Sequence, residues 1–441
     1  MIYRMLAFAI LTVFAFTASA AAELDQLLEK GRDAWQLTGD ALLKEFPQNL
    51  QFLDSSKKRL RGIPVKNSPL TLFGEPVQEL TVEIAPNGKI SKYTISIYNR
   101  GDAGKIEISD FRQKLRSLIQ KFSKLTNVPV PSQQSAFLAG AKVYSRIWKN
   151  NKFDLILRWS TTDNRTAEYI ALDAYRPGTA PRNLRDSLKS TTTTEELTSK
   201  IINDPDGSRY LFVPMVDQGQ KGYCVAATAE RMLRYYGSTV DQHVIAQIAK
   251  SDAKRGTSMQ AALEALDDAK SRLGVRVKPL ITCEMATKEL RWNTFTRLTK
   301  DYNSCARKSD ARELKLKNFV TVRGRTKYLN VDALLSAMDP KIYTEMRCED
   351  KSAYREFSEE IRDNIDAGVP LCWVTITLPH QADNKTNQIQ PHMRIINGYN
   401  TRTGDVIYTD SWGPGHEKKV MSLQDAWGIT QMLCAMTPRG R

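Results

Sequence analysis

Six cysteines and four histidines occur in the 441 residues, and one cysteine, Cys224, stands where a nucleophile would. It ends the segment Val213-Pro214-Met215-Val216-Asp217-Gln218-Gly219-Gln220-Lys221-Gly222-Tyr223-Cys224. Beyond it, Ala226, Ala229, Met232, Leu233 and Tyr236 recur at helical spacing, and Gly237 is a natural helix stop. Cys224 is therefore expected at a helix N-terminus, where unpaired N–H groups and the macrodipole favour the reactive thiolate. Gln218, six positions earlier, can swing its amide toward the carbonyl that a thiolate attacks. With the backbone N–H of Cys224 it would make a two-donor oxyanion hole. Gln220 is close enough to compete, and the spacing favours Gln218.

A thiolate also needs a base and a group that orients the base. His243 falls in a short helical stretch over 241–249, His380 in the polar loop 379–391, and His416 in the loop after Gly413. His392 instead opens an apolar strand, 393–398, at the end of that polar loop. A residue at the mouth of a strand is held rigidly yet faces a cleft. A second strand, 406–409, leads into Asp410-Ser411-Trp412-Gly413. If the two strands pair as a hairpin through Thr403-Gly404, Asp410 lands beside His392 and can fix its tautomer.

In that order, Gln218-x5-Cys224, His392-x5-Gly398-Tyr399 and Asp410-Ser411-Trp412-Gly413 resemble the glutamine, cysteine, histidine and asparagine motifs of the papain superfamily. Within it the chain looks most like the bacteriocin-leader (double-glycine) peptidase-like branch, which uses aspartate as third member. The resemblance covers about 211–441. It implies a papain-like catalytic domain, a helical part with the nucleophile helix plus an antiparallel sheet, and no cofactor or metal. It also implies oxyanion stabilisation by Gln218, attack by Cys224, base catalysis by His392 and orientation by Asp410. Two departures stand out: Val225 follows the cysteine where the leader peptidases commonly carry Gly, and residues 270–350 lengthen the Cys224–His392 interval. Specificity for a double-glycine leader therefore does not follow.

The first twenty residues read as an export signal: Arg4, then the uncharged apolar run 5–16, then Ala18-Ser19-Ala20 as a cleavage site. The run is shorter than the roughly 20 apolar residues that span a bilayer, so a periplasmic or secreted protein is expected. A net charge of +15 suits anionic partners such as envelope polymers or acidic peptides, although a solvated basic surface needs no partner at all. The expected partner is a peptide or protein substrate, with nucleic acid disfavoured. Export permits disulfides. Cys372, in Leu371-Cys372-Trp373-Val374, reads as core, while Cys283, Cys305 and Cys348 share a polar region and are the better candidates for a bridge. Cysteines too far apart for a metal knuckle argue against zinc.

The length suits two or three domains. Residues 22–46 suit a helix. Strands over 80–84 and 90–98 flank the hairpin turn Pro86-Asn87-Gly88. An amphipathic helix over 109–125 and strands over 142–148, 153–159 and 168–175 complete an α+β module, 22–176. Pro, Gly and a Thr run mark 177–208 as a linker, ahead of a catalytic domain over 209–441. A helix over 352–367, stopped by Gly368, precedes a buried strand over 370–378. The fold class is thus α+β in both parts. The N-terminal module carries no chemical motif; docking on the catalytic domain to restrict its cleft or recruit substrate is one expectation, and a passive accessory role is the other. Two further functions compete with peptide or isopeptide hydrolysis. One is acyl transfer of the transglutaminase type, against which the Gln218 spacing argues. The other is a silent binding module for an anionic polymer, against which the four-residue constellation argues.

Overall fold

The computed structural model describes residues 21–138, 141–181, 192, 194–219, 223–238, 242–248, 275–286 and 291–438. The expected export signal and Gln220 lie outside the described residues. The architecture is mixed α+β and rests on two eight-stranded sheets.

The first sheet takes strands Leu50–Phe52 (β1), Arg59–Gly62 (β2), Glu79–Ile84 (β3), Ile90–Asn99 (β4), Gln134–Leu138 (β5), Ala141–Lys149 (β6), Asp154–Thr162 (β7) and Thr166–Tyr175 (β8). They lie in the order β1-β2-β3-β4-β8-β7-β6-β5. Helix Ile108–Thr126 (α1) covers one face, burying Phe111, Leu118 and Phe122 beside Trp148 and Leu172. Strand alternation then sends Tyr169 and Ala171 to the opposite face. There they join Leu138, Ala141 and Val143 in the same apolar cluster as the helix that follows Cys224. The helix expected over 22–46 is broken into Asp25–Glu29, a 3-10 segment Gly31–Gln36 and Gly39–Glu45. Gly31 takes a left-handed φ of 58°, and Thr38 caps the last piece through Ala41 N–H.

The second sheet orders Ile201–Asn203 (β9), Ser208–Leu211 (β10), Val275–Thr282 (β11), Leu371–Thr377 (β12), Gln390–Asn400 (β13) and Thr430–Pro438 (β16) as β9-β10-β13-β12-β16-β11. Val406–Thr409 (β14) pairs with β13, and Lys419–Met421 (β15) with β14. Helix Cys224–Tyr235 (α2) lies on this sheet with almost every residue buried. Gln242–Ile248 (α3) packs beside it, and Lys351–Asp366 (α6) buries Phe357, Ile361 and Ile365 against the same core. Trp292–Lys308 (α4) and Pro340–Cys348 (α5) build a separate apolar cluster around Phe295, Tyr302 and Ile342, and Leu423–Ile429 (α7) leads into β16.

The stretch read as a linker contributes β9, which pairs with β10 at the edge of the second sheet. All six cysteines are free thiols, so the bridge expected among Cys283, Cys305 and Cys348 is not formed. Their side chains are committed elsewhere. Cys305 is buried in the α4–α5 cluster, while Cys283 faces Thr430 O at 3.3 Å and accepts from Arg347 at 3.0 Å. Cys372 is fully buried, as its apolar run suggested. Among the described residues no helix is long and apolar enough to cross a membrane.

Gly398, read in the sequence only as part of a motif, has a steric reason to be glycine. It faces Tyr210 across β10–β13, where a Cβ would stand 2.4 Å from Tyr210 Cβ and 2.5 Å from Arg209 O. Two backbones approach too closely there for any side chain. Gly398→Ala is expected to force the strands apart and cost about 1–3 kcal/mol, read as a lower urea midpoint at unchanged m-value.

Candidate active site

The three side chains expected to act together converge at the start of α2 and the ends of β13 and β14. Cys224 is the first residue of α2, after Tyr223, so the backbone N–H groups of the first turn have no helical partner and the dipole points at the sulfur. Its thiol lies within interaction range of the His392 imidazole, which favours the ionised sulfur. His392 is the third residue of β13 rather than its mouth, in register with Thr375 of β12, whose hydroxyl donates to His392 O at 3.2 Å. The β13–β14 hairpin forms as the Thr403-Gly404 turn suggested, with Ile395 opposite Thr409. This register brings Asp410, the next residue, to His392, with Oδ1 3.1 Å from Nε2.

Asp410 is 1% exposed and carries more than one partner. Arg394 Nε stands 3.1 Å from Oδ1, and Lys419 Nζ 3.0 Å from Oδ2. Burial alone would raise this carboxyl. Arg394, the His392 hydrogen bond and Lys419 together hold it far below the ordinary carboxylate range. For His392, burial disfavours the cation, yet Asp410 and Cys224 outweigh it and the pKa is raised to about 9. Burial likewise opposes the Cys224 thiolate, and His392 with the backbone N–H groups overcomes it to lower the thiol below its ordinary 9. Both shifts favour one species, a thiolate facing an imidazolium. Trp412 Nε1 is 2.9 Å from the same Nε2. That nitrogen cannot both donate to Asp410 and accept from the indole. In the imidazolium it carries a hydrogen, which Asp410 takes, and Trp412 serves as a cover at the imidazole edge.

Gln218 reaches the same neighbourhood by a different element. It sits on the extended segment before α2, with its N–H donating to Ser411 O, next to Asp410, at 2.8 Å. The side chain is 5% exposed and its Oε1 has no hydrogen-bond partner. Oε1 is an acceptor, so a donor to an oxyanion would have to be the NH2 at the other end of the same amide. The remaining histidines stay apart. His380 bonds Asn387, His243 packs edge-on against Tyr223, and His416 offers its backbone oxygen to Asp410 N–H. Among the described residues no group of His, Cys, Asp and Glu could hold a metal.

Sequence reasoning missed Arg394, Lys419, Asp383 and Trp412. Arg394 was detectable: a charge inside Met393-Arg394-Ile395-Ile396, two residues after His392, must share its face of the strand. Asp383, 2.8 Å from Arg394 and 3.6 Å from Lys419, had no such signal.

Comparison with known proteins yields one match: a family model described as Peptidase_C39 like family aligns with residues 210–432, just over half of the chain. No curated protein and no solved structure matches.

The geometry predicts selective thiol chemistry. Brief iodoacetamide treatment near neutral pH is expected to alkylate Cys224 first, with a rate that persists below the ordinary thiol range because His392 lowers the thiol. Burial pushes the Cys372 thiol well up, so it should be inert. Mass mapping decides; faster labelling of Cys372 or Cys434 would remove Cys224 from the role.

Proposed function

The chain belongs to the Peptidase_C39-like family, and from that premise we propose that it is an exported papain-like cysteine peptidase in which Cys224, His392, Asp410 and Gln218 do the chemistry. The observation that carries this reading is the placing of His392 between the helix-N-terminal Cys224 and the buried Asp410, whose Oδ1 is 3.1 Å from His392 Nε2. The Cys224 thiolate adds to the scissile carbonyl, and the oxyanion takes hydrogen bonds from the Gln218 amide and the Cys224 N–H. The His392 imidazolium gives its proton to the departing amine as the C–N bond breaks, leaving a thioester. Water then adds to the thioester, His392 takes the water's proton, and the C–S bond breaks to release a carboxylic acid and the thiolate. Asp410 keeps its charge throughout and holds the ring in place.

Within the family we assign the chain to the double-glycine leader-peptidase branch, on the strength of its aspartate third member, and read Val225 as a sign of a different substrate cleft. Export rests on residues 1–20, and the substrate is a peptide or protein with a peptide or isopeptide bond to cleave. Digestion of a peptide library tests the reading. Release of new carboxyl termini supports hydrolysis, whereas cross-linked amines would indicate acyl transfer and no turnover would remove the proposal.

Two sets of variants separate the roles. Cys224→Ala and His392→Ala should abolish turnover, and Gln218→Ala should lower kcat by about 100-fold, as loss of one oxyanion donor does. Asp410→Asn should keep partial activity, since its amide oxygen still accepts from the imidazole. The wild-type pH profile should fall on the alkaline side near 9, where His392 loses its proton. Asp410→Asn removes the anion that raises His392 and should move that limb to lower pH. An alkaline limb unmoved by the substitution would show that another group sets the His392 pKa.

A further inference from the structure

The segment 213–218, which delivers Gln218, belongs to no helix or strand, so beyond the Gln218 N–H bond to Ser411 O its position depends on side chains that reach it from outside. From the catalytic side, Arg231 of α2 donates to Pro214 O at 3.0 Å, and Gln242 of α3 to Asp217 O at 3.3 Å. The other supports come from the first sheet. The Asp54 carboxylate accepts from Met215 N–H at 3.1 Å, and Arg59 donates to Met215 O at 3.0 Å. Arg61, on β2, donates to Asp217 at 2.7 Å and to Glu79 of β3 at 2.9 Å.

These contacts are well shielded. The side chains of Arg61, Glu79 and Asp217 are 7%, 9% and 11% exposed, so solvent does little to screen the two ion pairs. Asp217 immediately precedes Gln218, and its other carboxylate oxygen accepts from Gly219 N–H at 2.8 Å. Its carboxylate also stands where a Cβ on Gly413 would come within 2.5 Å, just past Trp412 in the Asp410 loop. One aspartate thus ties the oxyanion segment, the loop after Asp410 and the N-terminal sheet together. The short helix Arg100–Ala103 that follows β4 touches the neighbouring residue of the nucleophile too: a Cβ on Gly101 would stand 2.2 Å from the Tyr223 hydroxyl.

Resting on the functional reading above, we infer that Arg61 of the N-terminal module is a positioning residue for catalysis, holding Asp217 so that the Gln218 amide is set for the oxyanion. The module is then neither a plug for the cleft nor a passive appendage; it completes the support of the oxyanion segment. The guanidinium geometry matters, because its fork serves two carboxylates at once.

The test uses the full chain, a fluorogenic peptide chosen from the library digest, and Cys224 alkylation across pH. Asp217→Asn leaves Arg61 its Glu79 partner and keeps an acceptor for Gly219, so the fold should survive. It is expected to lower kcat by about 10-fold, part of the loss that removing an oxyanion donor causes, with KM little changed. Its alkylation profile should match wild type, because the thiolate–imidazolium pair is untouched. Arg61→Ala should lose at least as much kcat, Arg61→Lys should recover part of it, and adding Asp217→Asn to Arg61→Ala should do no further harm. Glu83→Gln cuts another contact across the same seam, Glu83 to Arg234 at 3.5 Å, and should leave kcat alone. If Arg61→Ala does not fold by circular dichroism, Asp217→Asn decides. Wild-type kcat in folded Asp217→Asn, or an equal loss in Glu83→Gln, would overturn the inference while leaving the functional reading intact. A wild-type protein without turnover and without selective Cys224 labelling would instead bring down the functional reading and this inference with it.

Discussion

Asp410 is the charge around which the site is built. A carboxylate at 1% exposure is tolerable only if cations repay the loss of its hydration, and three surround it: His392, Arg394 and Lys419. Two of those are permanent at neutral pH, so the anion persists whether or not His392 carries a proton. Asp383 then balances Arg394 and Lys419 in turn. The consequence for chemistry is a fixed negative point beside the imidazole. The consequence for the fold is that β13, β14 and β15 are held together by charge as well as by their ladders, each supplying one member of the group or its neighbour.

Arg231 performs a similar service on the other side of the nucleophile helix. It is fully buried, donates to Pro214 O and to Thr409 Oγ1 at 2.6 Å, and so joins α2, the segment 213–218 and the end of β14. Burial lowers its pKa to about 10, with Asp410 and Asp54 as the nearest opposing charges. The protein carries a net +15, yet around the site each cation is placed against a named anion or carbonyl. The basic excess is therefore a property of the rest of the surface and bears on encounter with partners, not on the reaction centre.

Much of this was legible in the sequence, for reasons that differ by residue. The nucleophile helix was readable because Ala226, Ala229, Met232 and Leu233 repeat at 3.6-residue spacing, and Asp410 was placed by a hairpin turn that fixes register. Trp148 and Phe122 fell where alternation and helical spacing put them. What could not be read were features created by contact between distant segments. Strand Arg59–Gly62 is short and carries two arginines, and the buried Arg61 and half-buried Arg59 both donate to the segment 213–218, a contact between distant parts of the chain. The cysteines 283, 305 and 348 share a composition but not a location, since helix α4 turns Cys305 into its own cluster. Residues 22–46 have a helical repeat, yet Gly31 and Thr38 break it, and a glycine with positive φ leaves no mark in periodicity.

The activated thiol carries a smaller thermodynamic burden than its charge separation suggests. In the unfolded chain between about pH 6.5 and 9, the cysteine is protonated and the histidine neutral, so the two bind one proton between them. In the folded site the thiol is lowered and His392 raised, so between their two folded values the proton sits on His392 and the sulfur is ionised, and the count there is again one. Linkage makes the slope of stability with pH proportional to the difference in bound protons, and wherever both states hold one proton the pair contributes no slope. The lowered Cys224 thiol contributes stability that is complete above its ordinary 9 and is lost as pH falls through its folded value. Asp410 acts in the same direction further down: its folded pKa is depressed, so its stabilisation is complete above 3.8 and is lost as pH drops toward the folded value. The raised His392 taken by itself contributes stability that is full below 6.5 and is lost as pH rises through its folded value of about 9. Where the ion pair is ready to react, between the two folded values, the opposed slopes of Cys224 and His392 offset each other within 6.5–9.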